Sequence, residues 1–351
     1  MTESLLLAVD LDGDGAHPAA WRFSGRPPGS VLTGAALRAA VGAASGFVLA
    51  SFEDSPLPAG GTGPDQAGRL EAGTRAAFAA TLAGDLGLAP VLNATTTEPF
   101  HLATQLASLD HASHGRAAWI VDGLSDLDVL ATVGAEPLGG AAQRQEVADV
   151  IRTARLLWDS WQDDAVIKDV ASGRYLDSGR VHHIDFSGAT FSVKGPLITP
   201  RPPQGQIVVI ARDHLRVDEH ADIVLVAAAD PEAVAARAQQ TSSILTFADV
   251  EVILDLPGRP AAERLAELDD FTPWPSTGRL RHVGSVTGLL DLLSELRGVD
   301  GVRFLPAVQA LDLPLLAEQV VPARGRVLPG RTLRERLGLP RPASRFASTT
   351  A

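Results

Sequence analysis

Residues 93 to 101 read N-A-T-T-T-E-P-F-H. An amide, three hydroxyls, a carboxylate and an imidazole fall within one short run, directly after an apolar stretch. Other apolar stretches end on similar groups. Asp12, Asp14 and His17 follow the first, and Glu53, Asp54 and Ser55 the second. Asp122 and Ser125 follow the fourth, and Arg212, Asp213 and His214 the fifth. Short donors and acceptors with few cations suit a polar, roughly neutral ring system held by hydrogen bonds. The same residue types cap helices and close turns, so Thr97, just before Pro99, also reads as a helix cap.

Several chemistries have no residues to perform them. There is no cysteine, hence no disulfide, thiolate metal site or cysteine nucleophile. The run D-L-D-G-D-G at Asp10–Gly15 lacks the closing glutamate of a calcium loop. His182, His183 and Asp185 lack the helical i,i+4 spacing of a zinc pair. His111 and His114 flank the end of a helix, where cations suit the dipole. No metal site is expected. No G-x-S-x-G, phosphate-binding P-loop or G-x-G-x-x-G motif is present.

The elements that must position these residues alternate in type. Apolar runs at 4–11, 47–52, 88–94, 117–121, 207–211, 223–227, 243–254 and 301–305 read as buried strands, and helical patterns separate most of them. Eight such strands in 351 residues, 45% of them apolar, imply an α/β fold of the (β/α)8 TIM-barrel type. Residues 1–330 form one barrel domain, with a long insertion at 163–206 between strands 4 and 5. The Arg- and Pro-rich segment 331–351 reads as an exposed tail. In such a barrel the active face lies at the carboxyl ends of the strands, where the polar residues stand. The formal charge of −12 argues against nucleic-acid binding. No apolar run reaches membrane-spanning length, and the N-terminus reads as a first strand, so a cytoplasmic protein is expected.

The opening run, extended to E-P-F-H-L-A-T-Q-L-A-S-L-D-H-A-S-H-G-R-A-A-W, resembles a hallmark segment of the luciferase-like, flavin-dependent monooxygenases, in the branch containing nitrilotriacetate monooxygenase. H-P-A-A-W-R, F-V-L-A-S-F-E-D-S, the whole of 156–206, D-D-F-T-P-W-P-S-T-G and V-D-G-V-R-F-L-P-A-V resemble further segments in the same order. The resemblance implies a barrel binding FMN at the carboxyl ends of its strands. Reduced flavin would come from a separate NAD(P)H:flavin reductase, and oxygen would be used to oxygenate a small organic substrate. It further implies a homodimer. Carried over by position, Asp54, Asn93, Thr95 and Thr97 would lie at the flavin ring. The insertion would cover the site, and His101 would belong to the helix start. No catalytic residue is assigned.

Departures from the family pattern motivate two alternatives. The turn after strand five, A-R-D-H-L-R-V-D-E-H-A-D, lacks the glycines and serines that usually cradle the flavin phosphate; Arg212 or Arg216 would have to supply charge instead. The loop before the long helix keeps Arg144 but no tyrosine. One alternative is a non-catalytic barrel serving as the partner of an active copy. The other is an F420-dependent oxidoreductase.

Overall fold

Strands buried on both faces need near-continuous apolar runs, and all eight runs become strands. The computed structural model describes residues 4–23, 34–53, 70–123 and 127–346. The barrel strands are β1 (Leu6–Asp10), β2 (Leu49–Phe52), β3 (Gly87–Asn93), β4 (Ala118–Asp122), β5 (Val208–Arg212), β6 (Ile223–Val226), β7 (Leu245–Leu254) and β8 (Gly301–Pro306). Each pairs in parallel with its neighbours in sequence order, and β8 pairs with β1 to close the barrel. The outer half of β7 also pairs with a short rim strand, Leu280–Gly284.

Helices pack outside. The principal ones are α1 (Gly34–Ala43), α2 (Ala72–Ala80), α3 (Pro99–Ala112), α4 (Gly140–Asp159), α5 (Pro231–Ala238), α6 (Ala261–Asp269), α7 (Val286–Glu295) and α8 (Gln309–Leu315). In α4, Val147, Val150, Ile151, Ala154, Leu157 and Trp158 recur at helical spacing and are all buried. Trp158 is fully buried and donates its indole N–H to Ala103 O of α3 at 3.1 Å. Trp161 donates to Leu197 O at 2.7 Å. The tryptophans of this region are therefore anchored within the chain.

The insertion lies elsewhere than over the active face. It leaves the carboxyl end of α4 and re-enters at the amino end of β5, so it starts and finishes at the opposite end of the barrel. It forms two hairpins, Val166–Asp169 with Arg174–Leu176 and Phe186–Ser187 with Ser192–Val193. The second climbs the outer face of α4, where Ala189 N donates to Asp149 Oδ2 at 3.1 Å.

The expected exposed tail is corrected in the same region. Leu333, Leu337 and Leu339 are buried and belong to the core inside the barrel. A short helix, Leu333–Arg336, carries the first of them, opened by a capping box between Thr332 and Glu335. Buried Arg334 donates to Gln206 O at 2.6 Å and Asp222 Oδ2 at 2.9 Å. Leucines filling the open amino end of the barrel outweigh the polar composition around them. Beyond them, Arg341 pairs with Asp163 and the Phe346 ring stacks on His182 at 4.6 Å, strapping the insertion to the barrel.

Candidate active site

Side chains along a strand alternate between faces, so an inward row can be followed upward. Leu6 and Ala8, Ala89 and Val91, Ala118 and Ile120, Val208 and Ile210, and Phe247 belong to the inner core. Two residues further along each row stand Asp10, Asn93, Asp122, Arg212 and Asp249. The barrel interior thus passes from apolar layers to a polar layer at the carboxyl ends of the strands.

That polar layer is an ordered ion network. Arg303 on β8 is completely buried and holds Asp249 on β7 by two bonds, Nε to Oδ1 at 2.8 Å and Nη2 to Oδ2 at 2.7 Å. Its Nη1 reaches Glu53 Oε1 at 2.9 Å and Ser51 Oγ at 3.2 Å. Arg212 Nη2 crosses from β5 to both oxygens of Glu53, each at 2.9 Å. Ser51 Oγ donates to Asp10 Oδ1 at 2.7 Å. Arg75 on α2 pins the neighbouring loop, donating to Asp12 Oδ1 at 3.1 Å and also to Glu53 O. Arg279 Nε donates to Asp249 Oδ2 at 3.2 Å.

Charge here is tuned strongly. Burial, with the Glu53 and Asp12 carboxylates beside it, pushes the Asp10 carboxyl up to about 7. Burial pushes Glu53 upward too, but Arg212, Arg303 and Arg279 overcome it and hold that carboxyl far below its usual range. Asp249 is likewise held low against its burial, chiefly by Arg303. His214 is pushed down by burial and by Arg212, which favours the neutral imidazole.

The expected binding residues divide. Asp54 lies outside the described residues, as do Ser55 and Ser125. Asn93 stands at the mouth. Its Oδ1 accepts from Thr95 N and Thr95 Oγ1, both at 2.9 Å, and from Thr96 N at 3.2 Å. Its Nδ2 is buried and has no partner among the described residues. Thr95 therefore helps to orient Asn93. Thr97 does not cap α3; Glu98 does, accepting from Phe100 N at 3.0 Å and His101 N at 2.7 Å. His101 sits at the helix start, as expected.

Arg212 lies inside the mouth, bound to Glu53, which removes it from the phosphate role expected of it. A better anion seat lies beside it. Gly123, Gly140, Gln143, Arg144, Val147, His214 and Leu215 line a small open cleft of about 140 Å³ at the amino end of α4. Gly139 caps that helix without a side-chain acceptor, and its first turn carries no acid. Free N–H groups at a helix start attract phosphate, and Arg144 adds a charge.

Ser51, Asp249, Arg303, Arg75 and Arg279 were absent from the sequence-based candidates. One signal for them existed: A-D-V-E-V within 248–252 alternates acid and apolar residues, which puts Asp249 and Glu251 on one face. The rim above is built from two of the quoted motifs. His17 Nδ1 accepts from Ala19 N at 3.1 Å, so the proton lies on Nε2, which donates to Asp269 Oδ1 at 3.1 Å. The His17 ring packs on Trp274 at 5.2 Å, and Arg22 lies over Phe271 at 4.1 Å. The segment after β7, rather than the 163–206 insertion, therefore walls the mouth.

No helix among the described residues is long and apolar enough to cross a membrane. In overall fold the chain is similar to a crystal structure of riboflavin lyase with modified FMN and riboflavin. The TM-score is 0.80 at 20% identity, covering 96% of each chain. It is 34% identical over 285 residues to one component of pristinamycin IIA synthase from Streptomyces pristinaespiralis, covering 81% of this chain and 83% of that one. It is 33% identical over 214 residues to N-acetyl-S-(2-succino)cysteine monooxygenase of Bacillus subtilis, covering 59% of this chain but only 48% of that relative. A model of the luciferase-like monooxygenase family matches residues 25–274. With most of the chain inside that match, the chain belongs to the luciferase-like monooxygenase family.

Proposed function

We propose that this chain is the oxygenating component of an FMN-dependent monooxygenase. Reduced flavin would come from a separate NAD(P)H:flavin reductase, and the substrate is a small organic molecule. The observation that carries the reading is the buried Asn93 Nδ2 at the mouth, which no described residue pairs. A buried amide donor without a partner costs free energy unless a ligand acceptor completes it. The isoalloxazine ring offers such acceptors in its carbonyls and ring nitrogens. Arg212, two strands away, has a buried Nε with no partner among the described residues and supplies a second donor. The cleft at the start of α4 has the size and polarity for a phosphate, with Arg144 in place of the usual small-residue cradle. Bound there, reduced FMN would supply the activation of molecular oxygen.

Relatives support the reading in two ways. The riboflavin lyase of similar fold carries modified FMN, and the Streptomyces relative is one component of a multi-chain synthase.

The test is titration of the purified protein with oxidised and with anaerobically reduced FMN, followed by fluorescence and calorimetry. Micromolar binding of reduced FMN is expected. Asn93→Ala should weaken it roughly tenfold, the value of one hydrogen bond to a buried donor, while the thermal melt stays within a few degrees. A folded protein that binds neither form would sink the proposal. Binding of F420 alone would redirect it to hydride transfer.

A further inference from the structure

Glu53 and Arg212 stand at the ends of β2 and β5, with two strands between them, so no ladder of backbone hydrogen bonds sets their separation. Asp249 and Arg303 are related differently. They are register partners on adjacent strands and meet through two parallel bonds. Two bonds from one planar guanidinium fix both position and orientation. The side chains of Glu53 and Arg212 retain 14% and 13% exposure and so reach the mouth, whereas that of Arg303 has none. Arg303 therefore cannot touch a ligand. It can only determine where Glu53 sits, and through Glu53 where Arg212 sits.

We propose that Arg303 is a positioning residue for the flavin site. Anchored on Asp249, it fixes Glu53, and Glu53 in turn holds the Arg212 guanidinium across the barrel with its Nε–H left for the ligand. The proposal rests on the flavin reading above. Lysine cannot replace Arg303 in this role. A single ammonium cannot bind Asp249 through two parallel bonds while also reaching Glu53 and Ser51.

The test is a double-mutant cycle on the full chain, read as the affinity for oxidised and for reduced FMN. Arg212→Gln should weaken reduced FMN about tenfold, because the cation favours the more electron-rich ring, and oxidised FMN roughly twofold. Arg303→Lys should reproduce that pattern although the residue is out of reach of the ligand. The double variant should be no worse than Arg212→Gln alone, because both changes remove the same interaction. Additive losses, about a hundredfold for the double variant, would overturn the proposal, as would an Arg303→Lys protein that binds like the wild type. A wild-type protein that binds no flavin would instead overturn the underlying reading. Should Arg303→Lys fail to fold, Asp249→Asn takes its place in the cycle. It loosens the anchor of Arg303 from a side chain only 2% exposed, does not touch Arg212, and must show the same non-additivity.

Discussion

A chain ending at Gly330 is expected not to reach the native barrel. The segment removed contains Leu333, Leu337 and Leu339, each buried within the core inside the strands. Leu333 packs so closely that a Cβ added at Gly87 would come within 2.7 Å of its Cδ1. Truncating one buried leucine costs about 2–5 kcal/mol, so losing three costs roughly 6–15 kcal/mol, comparable with the whole stability of a typical domain. Arg334 goes as well. Asp222 would then keep Arg155 at 3.1 Å and Val209 N at 2.9 Å, but would lose its most buried guanidinium partner.

The contrast is a chain ending at Pro340. It keeps the leucines and loses the strap to the insertion, where the Arg341–Asp163 pair is half-exposed and contributes little. It also loses the Pro342 carbonyl that accepts from Arg201 at 2.9 Å, but Arg201 keeps Asp159 and Asp163. It should fold and melt within several degrees of the full chain. The check is soluble yield together with a thermal melt followed by near-ultraviolet circular dichroism. A 1–330 protein that melted cooperatively at the full-length temperature would show that the leucines fill space without supporting the barrel.

The tail also shows where sequence reading fails and why. Five arginines and two prolines in its 21 residues suggest solvent. The information lay in spacing: Thr332 and Glu335 make a capping box, and Leu333 and Leu337 share one helical face. The eight strands were legible because parallel strands buried on both faces are apolar throughout. Arg303 was hidden for the same reason. A lone arginine in G-V-R-F-L-P does not disturb the pattern of a buried strand, and its partners are distant in sequence. Asn93 was legible because an asparagine ending a strand is conspicuous. The failure of Thr97 as a cap was not, since Glu98 competes for the same N–H groups and only the backbone geometry decides between them. The place of the insertion follows from topology: a segment between a helix and the next strand belongs to the amino end of the barrel, whatever its sequence resembles.

Asp10→Asn is expected to stabilise the protein at pH 8 and to flatten its stability between pH 5 and pH 8. The Asp10 carboxyl is pushed up to about 7, first by burial and then by Glu53 and Asp12, against about 3.9 in an unfolded chain. Between those values the folded state holds a proton that the unfolded state has released. Stability therefore falls as pH rises from about 4 to about 7, by on the order of 4 kcal/mol, and stays low above that. Asparagine has no proton to lose. It keeps an acceptor for Ser51 but places an amide in reach of Asp12 N–H, a conflict costing about 1 kcal/mol. The net gain at pH 8 is then about 3 kcal/mol. Asp110, pushed up to about 6 by burial, adds a slope of the same sign, but it is common to both proteins and cancels in the difference. Glu53 and Asp249 are held low and titrate below this window. Urea denaturation of both proteins at several pH values measures the difference directly. Parallel curves would mean that Asp10 is already ionised at neutral pH. The distinction matters for the site, because Asp10 lies beside the network of Glu53 and Arg303 at the mouth. Its ionisation adds a negative charge there, which disfavours an electron-rich ligand, so affinity for reduced flavin should decline over the same pH range as stability.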